Sequence, residues 1–219
     1  VLGLDLDADS IAHARRRYGD VPGLRFDIAD ATRLDALPDT GFDLVLSFET
    51  LEHVQDQERL LDGFARLLAP GGLLLLSTPD RGNYNPPGSE PNPHHVRELD
   101  RAEFEALLAA RFPARRLWGH KLAFQSLLWS LDAGEAGPAQ ALAIDAGELL
   151  PGPALPPTYY LAACAREPSA LAGLPALSLF GDAAESVYAD YRAEVRRNRA
   201  AAAHIAHLEA ELARLRGGP

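Results

Sequence analysis

Short apolar runs with the length of a β-strand alternate along the chain with segments whose residue pattern is typical of an α-helix. Between the runs, Asp9 or Ser10 can cap a helix that runs to about Tyr18, and residues 57–68 repeat apolar side chains at helical intervals. Strands that alternate with helices are typical of a doubly wound, mostly parallel sheet with helices on both faces. The sequence therefore predicts an α/β fold, in which ligands bind at the carboxyl ends of the strands. The predicted strands of this first part are residues 1–6, 24–28, 42–47 and 73–77.

The composition excludes several functional classes. A net charge of −10 over 219 residues argues against a broad nucleic-acid-binding surface. The single cysteine, Cys164, has no second cysteine for a disulfide or a metal cluster, and its apolar neighbours predict a buried, inert thiol. No apolar run approaches the roughly 18 residues of a membrane span, and no signal peptide is recognisable. We therefore expect a cytoplasmic enzyme or binding protein.

The sequence divides into a domain, a linker and a tail. We assign residues 1–168 to the domain, with a poorly patterned insertion at about 122–157, and residues 169–181 to the linker. The polar segment 79–99 is long for a loop inside a compact domain, and loops of this length are usually functional. Because the chain lacks methionine even at position 1 and opens inside a strand pattern, we interpret it as a fragment that has lost its N-terminus. The remaining predicted elements of the domain are a helix at 101–111 and strands at 115–119 and 158–165.

The tail, residues 182–216, is predicted to be helical and carries a heptad pattern. The seam is weak at its start and regular from Asn198 onward, where the asparagine is a candidate for a register-fixing polar residue. A short coiled coil and a single helix are both compatible with this pattern. The tail therefore indicates either self-association or linkage to a further domain. The positions a are Tyr191, Asn198, Ile205 and Leu212, and the positions d are Glu194, Ala201, Leu208 and Leu215.

A cluster of ionisable residues follows the predicted strand 42–47. Glu49, Glu52 and His53 are spaced i, i+3 and i+4, so one helical turn would place all three side chains on one face. Two carboxylates and an imidazole that converge on one point can hold a proton or a hard divalent cation. The cluster lies just beyond a strand, where open α/β sheets bind their ligands.

Four segments, in this order, resemble the class I S-adenosylmethionine-dependent methyltransferases, whose fold is a Rossmann-like doubly wound sheet. The resemblance covers residues 1 to about 121 and resumes at 158–165. It implies that the first strand and the glycine-rich loop of that fold are missing before Val1, and that this chain binds the cofactor poorly. The segments that carry the resemblance are Gly3–Asp5, Ile28–Ala31, Phe42–Ser47 with Leu51–Val54, and Leu67–Gly72.

The resemblance implies four residues that bind S-adenosylmethionine. The carboxylate of Asp5 would accept hydrogen bonds from the ribose hydroxyls, and such charge-assisted bonds are strong. Asp30 and the backbone amide of Ala31 would bind the adenine ring, and Ser47 would lie at the end of the next strand. Asp7 is the alternative to Asp5 for the ribose, although it more naturally begins the helix. Two other readings remain open: either acid caps that helix, and Asp30 accepts hydrogen bonds from the backbone of its own turn.

The Glu-x-x-Glu-His motif is similar to one found in two methyltransferase groups, the small-RNA terminal 2′-O-methyltransferases and the ubiquinone-pathway O-methyltransferases. There it holds a divalent ion together with a histidine from a later loop. This resemblance implies an ion on Glu49, Glu52, His53 and His95, with magnesium or manganese preferred and zinc as a further candidate. Alternatively, His53 is a general base oriented by a glutamate such as Glu49, or the motif only closes the pocket and caps a helix.

The sequence thus predicts methyl transfer to an acceptor that we expect to be a hydroxyl of a small molecule or a glycan. Such a reaction requires the acceptor to be aligned with the sulfonium methyl group and to lose its proton. Two alternatives are a methyltransferase of RNA ends and a non-catalytic module that assembles through its tail. The net acidity of the chain argues against the RNA substrate.

Overall fold

The computed structural model describes residues 1–37, 40–85, 87–123, 125, 140–181 and 184–216. The chain divides into two units, Val1–Gly173 and Leu174–Pro219. The strands are β1 (Leu2–Asp5), β2 (Arg25–Ile28), β3 (Phe42–Ser47), β4 (Leu68–Pro79), β5 (Ala114–His120), β6 (Leu142–Asp145), β7 (Glu148–Pro151) and β8 (Tyr159–Ala165). The helices are α1 (Ala8–Tyr18), α2 (Gln57–Leu67), α3 (Arg101–Ala109) and α4 (Ser186–Arg216), with 3-10 turns at Ala31–Ala36, Leu51–His53 and Pro168–Leu171.

Helices α1, α2 and α3 each begin at an aspartate whose carboxylate accepts a hydrogen bond from the first turn. Asp7 accepts from the Ser10 amide at 2.8 Å, and Asp100 forms a complete capping box with Glu103. These bonds satisfy backbone donors that the helix leaves unpaired. The caps explain why the predicted helix starts agree closely with the observed ones.

The main sheet has the strand order β3-β4-β8-β5. Strand β4 runs parallel to β3, whereas β8 lies antiparallel between β4 and β5. Among the described strands of this sheet, β3, β4 and β5 therefore run in one direction and β8 is reversed, so the predicted mostly parallel sheet contains one antiparallel strand that was not predicted. Strand β4 also starts earlier than predicted, at Leu68, because the segment up to Gly72 forms an irregularity in the register with β3 rather than a separate loop.

Strands β1 and β2 form a parallel pair that is separate from the main sheet in the part of the chain the structure describes. The outer edge of β3 is correspondingly exposed: Leu44 and Leu46 have 48% and 56% of their surface accessible. A cavity of about 390 Å³ is lined by Val1 and Leu2, by the segment that leads into β2, and by Phe42 at the start of β3. The sheet thus has an unfilled apolar edge beside β3.

The core lies where α2 and α3 pack on the main sheet. Strand β4 contributes Leu74 and Leu76, which are fully buried, and both of its edges are paired, as its apolar sequence predicts. Cys164 of β8 is also buried, and burial raises the pKa of its thiol to about 12. The prediction of a buried, inert cysteine is confirmed. The helix side chains of this core are Leu60, Leu61, Phe64, Leu67, Phe104 and Leu108.

Part of the predicted insertion is a hairpin. Strands β6 and β7 are antiparallel and are joined by Ala146 and Gly147, both with positive φ, as tight two-residue hairpin turns require. Residues 126–139 of the predicted insertion lie outside the described residues, as do residues 182 and 183 of the tail. In the described part of the chain, no helix combines the length and the apolar character needed to cross a membrane.

The burial pattern predicts that a Leu→Ala substitution lowers the free energy of unfolding much more on β4 than on the neighbouring strand β3. Leu74→Ala should lower the free energy of unfolding by about 2–5 kcal/mol, because it opens a cavity in a closed core. Leu46→Ala should cost less than about 1 kcal/mol, since that side chain is half exposed. Urea unfolding of the two variants measures the difference. Equal losses would contradict the exposed edge of β3.

Candidate active site

The candidate site lies where the parallel strands β3 and β4 end side by side. Their register pairs Ser47 with Leu76, so the chain after Ser47 lies beside the last residues of β4. The 3-10 turn Leu51–His53 follows β3 and brings Glu52 next to Thr78 of β4. The parallel pairing therefore places the predicted ionisable cluster at the edge of the sheet where ligands bind.

Glu52 is a buried carboxylate with one paired and one unpaired oxygen. The Thr78 hydroxyl donates to Oε2 at 3.1 Å, whereas Oε1 is buried and has no hydrogen-bond partner among the residues that the structure describes. Burial raises the pKa of the Glu52 carboxyl above its ordinary value, and the negative charge of Glu49 adds to this effect. A buried acceptor without a donor costs about 1–3 kcal/mol. Oε1 can therefore accept a proton or bind a positively charged ligand.

The loop that contains His95 is held over Glu52 by backbone hydrogen bonds. The amides of Val96 and Arg97 both donate to the Glu52 carbonyl, at 2.7 and 3.1 Å. The buried side chain of Gln57 donates to the carbonyls of Leu51 and Arg97, each at 2.9 Å. These bonds join the turn after β3 to a loop more than forty residues later.

His53 presents one ring nitrogen to the site. Its Nδ1 lies 2.8 Å from the His94 carbonyl oxygen, which can only accept, so Nδ1 carries the proton in the neutral ring. Its Nε2 then has a free lone pair, 3.8 Å from Oε1 of Glu52. The side chain is 40% exposed and is therefore accessible to a ligand.

His95 is oriented in the same way but is almost fully buried. Its Nδ1 lies 2.6 Å from the Glu98 carboxylate, and its Nε2 lies 3.0 Å from the amide nitrogen of Asn92. The carboxylate places the proton on Nδ1, and the Nε2 lone pair accepts from Asn92. A histidine that donates Nδ1–H to a carboxylate while Nε2 faces the site is the usual arrangement of a metal-binding imidazole.

Three of the four predicted ligand residues come together. Glu52, His53 and His95 each offer one ligand atom, and these atoms lie within 4.8 Å of one another. Glu49 lies outside this group: it has φ +50°, a conformation rare for residues other than glycine, and its carboxylate accepts from the Ser77 hydroxyl at 2.5 Å. The expected helical turn does not extend back to Glu49, because the 3-10 turn begins only at Leu51.

The predicted cofactor residues lie at the ends of β1, β2 and β3. Asp5 ends β1 and accepts from the Asp7 amide at 2.8 Å, whereas Asp7 itself caps α1. Asp30 accepts from the amide and the hydroxyl of Thr32 through one oxygen, Oδ1, and these bonds lower the pKa of its carboxyl. Ala31 is the first residue of the 3-10 turn that Asp30 caps, and Ser47 is the buried last residue of β3.

Two residues that position the site, Thr78 and Gln57, were not predicted. Thr78, which holds Glu52, could have been inferred from its place at the end of the strand next to β3. Gln57 gives no such signal, because its role depends on a loop that is distant in sequence. Tyr84 packs against the ring of His95 at 5.0 Å and against Tyr159 at 5.6 Å, so aromatic rings border the cluster.

Comparison with known proteins shows similarity to methyltransferases over the first part of the chain. Residues 1–76 match the model of a methyltransferase domain. Over 109 residues the chain is 40% identical to a probable S-adenosylmethionine-dependent methyltransferase of Mycolicibacterium smegmatis, an alignment that covers 49% of this chain and 41% of that protein. Residues 1–76 are thus similar to a methyltransferase domain, and the chain spans less than half the length of the S-adenosylmethionine-dependent methyltransferase that it matches.

Two further relatives carry names that specify different acceptors. A phosphoethanolamine N-methyltransferase of Arabidopsis thaliana is 37% identical over 78 residues, which cover 35% of this chain and 16% of that protein. A trans-aconitate 2-methyltransferase of Methylobacterium nodulans is 39% identical over 80 residues, which cover 36% and 29%. The chain therefore aligns with less than half the length of these relatives.

The buried carboxyl of Glu52 predicts a specific dependence of stability on pH. Because the pKa of this carboxyl is raised in the folded state, the folded state keeps its proton at pH values where the unfolded state has released it. The free energy of unfolding therefore falls as the pH rises above the ordinary glutamate pKa. Glu52→Gln should therefore raise the free energy of unfolding by about 1–3 kcal/mol at neutral pH. The gain should shrink near pH 4, where both states of the wild type are protonated.

Urea unfolding in a metal chelator at the two pH values measures this effect. Glu49→Gln is the matched control, because that carboxylate is exposed and bonded to Ser77. The explanation by burial of the Glu52 carboxyl would be contradicted by either of two results. One is that Glu52→Gln raises the free energy of unfolding equally at both pH values, and the other is that Glu49→Gln raises it as much as Glu52→Gln does.

Proposed function

We propose that the protein transfers a methyl group from S-adenosylmethionine to a hydroxyl of a small molecule or a glycan. The observation that carries this proposal is the convergence of Glu52, His53 and His95 at the ends of the parallel strands of a methyltransferase domain. Methyl transfer to oxygen needs a group that takes the hydroxyl proton. This cluster offers the Nε2 lone pair of His53 and a Glu52 oxygen that has no partner among the described residues, while Nε2 of His95 accepts from Asn92.

The cofactor is proposed to bind along the ends of β1 and β2. These strands are parallel, and their register pairs Asp5 with Ile28, so Asp5 and Asp30 follow the same edge. Within the described residues, Asp30 uses only Oδ1 for its own turn, which leaves Oδ2 for an adenine amino group. Asp5 has an oxygen available for the ribose hydroxyls in the same way. Each of these two aspartates can therefore accept a local hydrogen bond through one oxygen and bind the cofactor through the other.

The methionine part of the cofactor requires a further element. We propose that a strand fills the edge between β1 and β3, and that the glycine-rich loop of this fold follows that strand. The exposed Leu44 and Leu46 and the cavity lined by Val1, Leu2 and Phe42 support this proposal. Residues 1–219 would then bind the adenosine half of the cofactor and make few contacts with its methionine half.

Binding of adenosine and of S-adenosylmethionine to the chain should therefore be similar, with affinities within about tenfold, or 1.4 kcal/mol. Asp5→Asn should weaken adenosine about tenfold or more, since hydrogen bonds to charged groups contribute about 1.5–3 kcal/mol. Asp27→Asn is a matched control, because Asp27 lies on the same strand pair and forms an ion pair with Arg15. Equilibrium dialysis with each compound gives the affinities.

Two results would contradict this part of the proposal. An equal loss in the Asp5→Asn and Asp27→Asn variants would remove the ribose role of Asp5. A preference for S-adenosylmethionine over adenosine far above tenfold would mean that the chain holds the methionine part with its own residues.

The acceptor hydroxyl is proposed to approach Nε2 of His53. Its proton can move to this nitrogen because Nδ1 already donates to the His94 carbonyl. The imidazolium that forms would lie 3.8 Å from Oε1 of Glu52, and the carboxylate would stabilise its charge. The rings of Tyr84 and Tyr159 would border the acceptor.

The same three residues also fit a divalent ion. Two imidazole nitrogens and one carboxylate oxygen form a donor set typical of zinc and other transition metals. Because Glu49 lies outside the group, few oxygen donors are present, and manganese or zinc is favoured over magnesium. The chemistry that such an ion supplies is positive charge beside the acceptor, which lowers the pKa of its hydroxyl.

Calorimetry with Mn²⁺ or Zn²⁺ tests the ion without any need for activity. We expect one ion per chain, and we expect Glu52→Ala and His95→Ala each to lower the affinity about tenfold or more. Glu49→Ala should bind as the wild type does, because Glu49 is not part of the group. Absence of binding, or equal binding by all variants, would leave His53 as a general base and exclude the ion.

A further inference from the structure

Helix α4 carries an exposed apolar stripe that nothing in the methyltransferase reaction uses. It has 31 residues and is therefore about 46 Å long. Every side chain from Arg196 to Leu212 is exposed, including the large apolar side chains of Ile205, Leu208 and Leu212. These three residues are spaced by three and four positions and so share one face of the helix.

A helix of this kind needs a partner for its apolar face. Isolated helices are only marginally stable in water, and most helices in proteins are stabilised by packing of an apolar face. The alanines of α4 favour helix formation but bury little surface by themselves. The stripe of Ile205, Leu208 and Leu212 is the part of the helix whose burial would add stability.

We propose that α4 pairs with α4 of a second copy of the chain in a parallel two-stranded coiled coil. The contact layers would be Asn198, Ala201, Ile205, Leu208 and Leu212, which alternate between positions a and d of a heptad. A β-branched residue at a with leucine at d, as in Ile205 and Leu208, favours two strands. This interface does not rest on the proposed catalytic function.

Charge complementarity argues for a second copy as the partner. In a parallel pair, position g of one helix faces position e of the next heptad of the other. Glu211 of one copy would then face Arg216 of the other, and His204 would face Glu209. Each pair occurs twice by symmetry, and no like charges oppose each other in this region.

Asn198 determines the direction of the pair. In a parallel pair each Asn198 faces its own counterpart, and the two amides can hydrogen-bond across the seam. In an antiparallel pair on the same stripe, Asn198 would instead face Leu208 of the second copy. Nδ2 of Asn198 donates to Glu194 of its own helix at 3.3 Å, but its carbonyl oxygen would face Leu208 without a donor. A buried acceptor without a donor is costly, so the parallel arrangement is favoured. The seam ends upstream at Glu194, which forms an ion pair with Arg197 of its own helix.

Sedimentation velocity on the full chain tests the association. The wild type should shift with rising concentration from the monomer mass of 23.6 kDa to twice that mass. Combining Ile205→Glu with Leu208→Glu should abolish the shift. Combining Ala203→Glu with Ala210→Glu adds the same charge on the outer face of the helix and should leave the shift intact. Circular dichroism shows whether each variant remains folded.

Three results would overturn the interface: a monomer at every concentration, a trimer mass, or an equal loss of association in both pairs of substitutions. Cross-linking then tests the direction. An Asn198→Cys variant should form a disulfide-linked dimer on oxidation, whereas Ala203→Cys should not, and the buried native Cys164 does not compete. A folded dimer in which Asn198→Cys fails to cross-link would overturn the parallel arrangement.

Discussion

The parallel pairing of β3 with β4 is the constraint on which the site depends. Because both strands end at the same edge, the turn after β3 lies against the last residues of β4, and Thr78 can hold one oxygen of Glu52. The carbonyl of the same residue then anchors the amides of the loop that brings His95 to the site. A change in the register of this pair would therefore separate the acidic and the imidazole parts of the cluster.

Hydrogen bonds fix the side chains of the site, and one carboxylate oxygen of the site has no hydrogen-bond partner among the described residues. Both histidines are fixed by hydrogen bonds at Nδ1, one to a carbonyl and one to the carboxylate of Glu98, so their Nε2 lone pairs are directed. Glu52 is fixed through Oε2 and through its backbone, while Oε1 has no partner. Polar groups that are held firmly and left unpaired are characteristic of functional sites rather than of cores.

The sequence predicted the elements better than their arrangement. Local patterns were sufficient to locate α1, α2, α3 and the strands from β1 to β5, although α1 is capped by Asp7 and not by the predicted Asp9 or Ser10. The antiparallel insertion of β8 between β4 and β5 was not predictable from local pattern, since it depends on which edge the last strand reaches. The mixed sheet is the result.

The same distinction holds for the site. Spacing indicated Glu52 and His53, the family resemblance added His95, and these three residues do converge. Spacing was misleading for Glu49, because a positive φ takes it out of the turn that would have aligned it with the others. The contributions of Gln57 and Thr78 depend on contacts between distant segments, which a single sequence does not reveal.

The exposed edge of β3 has a consequence for the behaviour of the protein in solution. Among the described strands, β3 is paired on one side only, and its other side carries Leu44 and Leu46. Where the proposed strand does not fill this edge, a strand of another chain can add to it, and natural proteins usually cover such edges or place charges on them. Asp43 and the net charge of −10 oppose this addition by repulsion between chains. Colloidal stability should therefore depend on ionic strength: salt that screens this charge promotes aggregation through β3 without unfolding the domain.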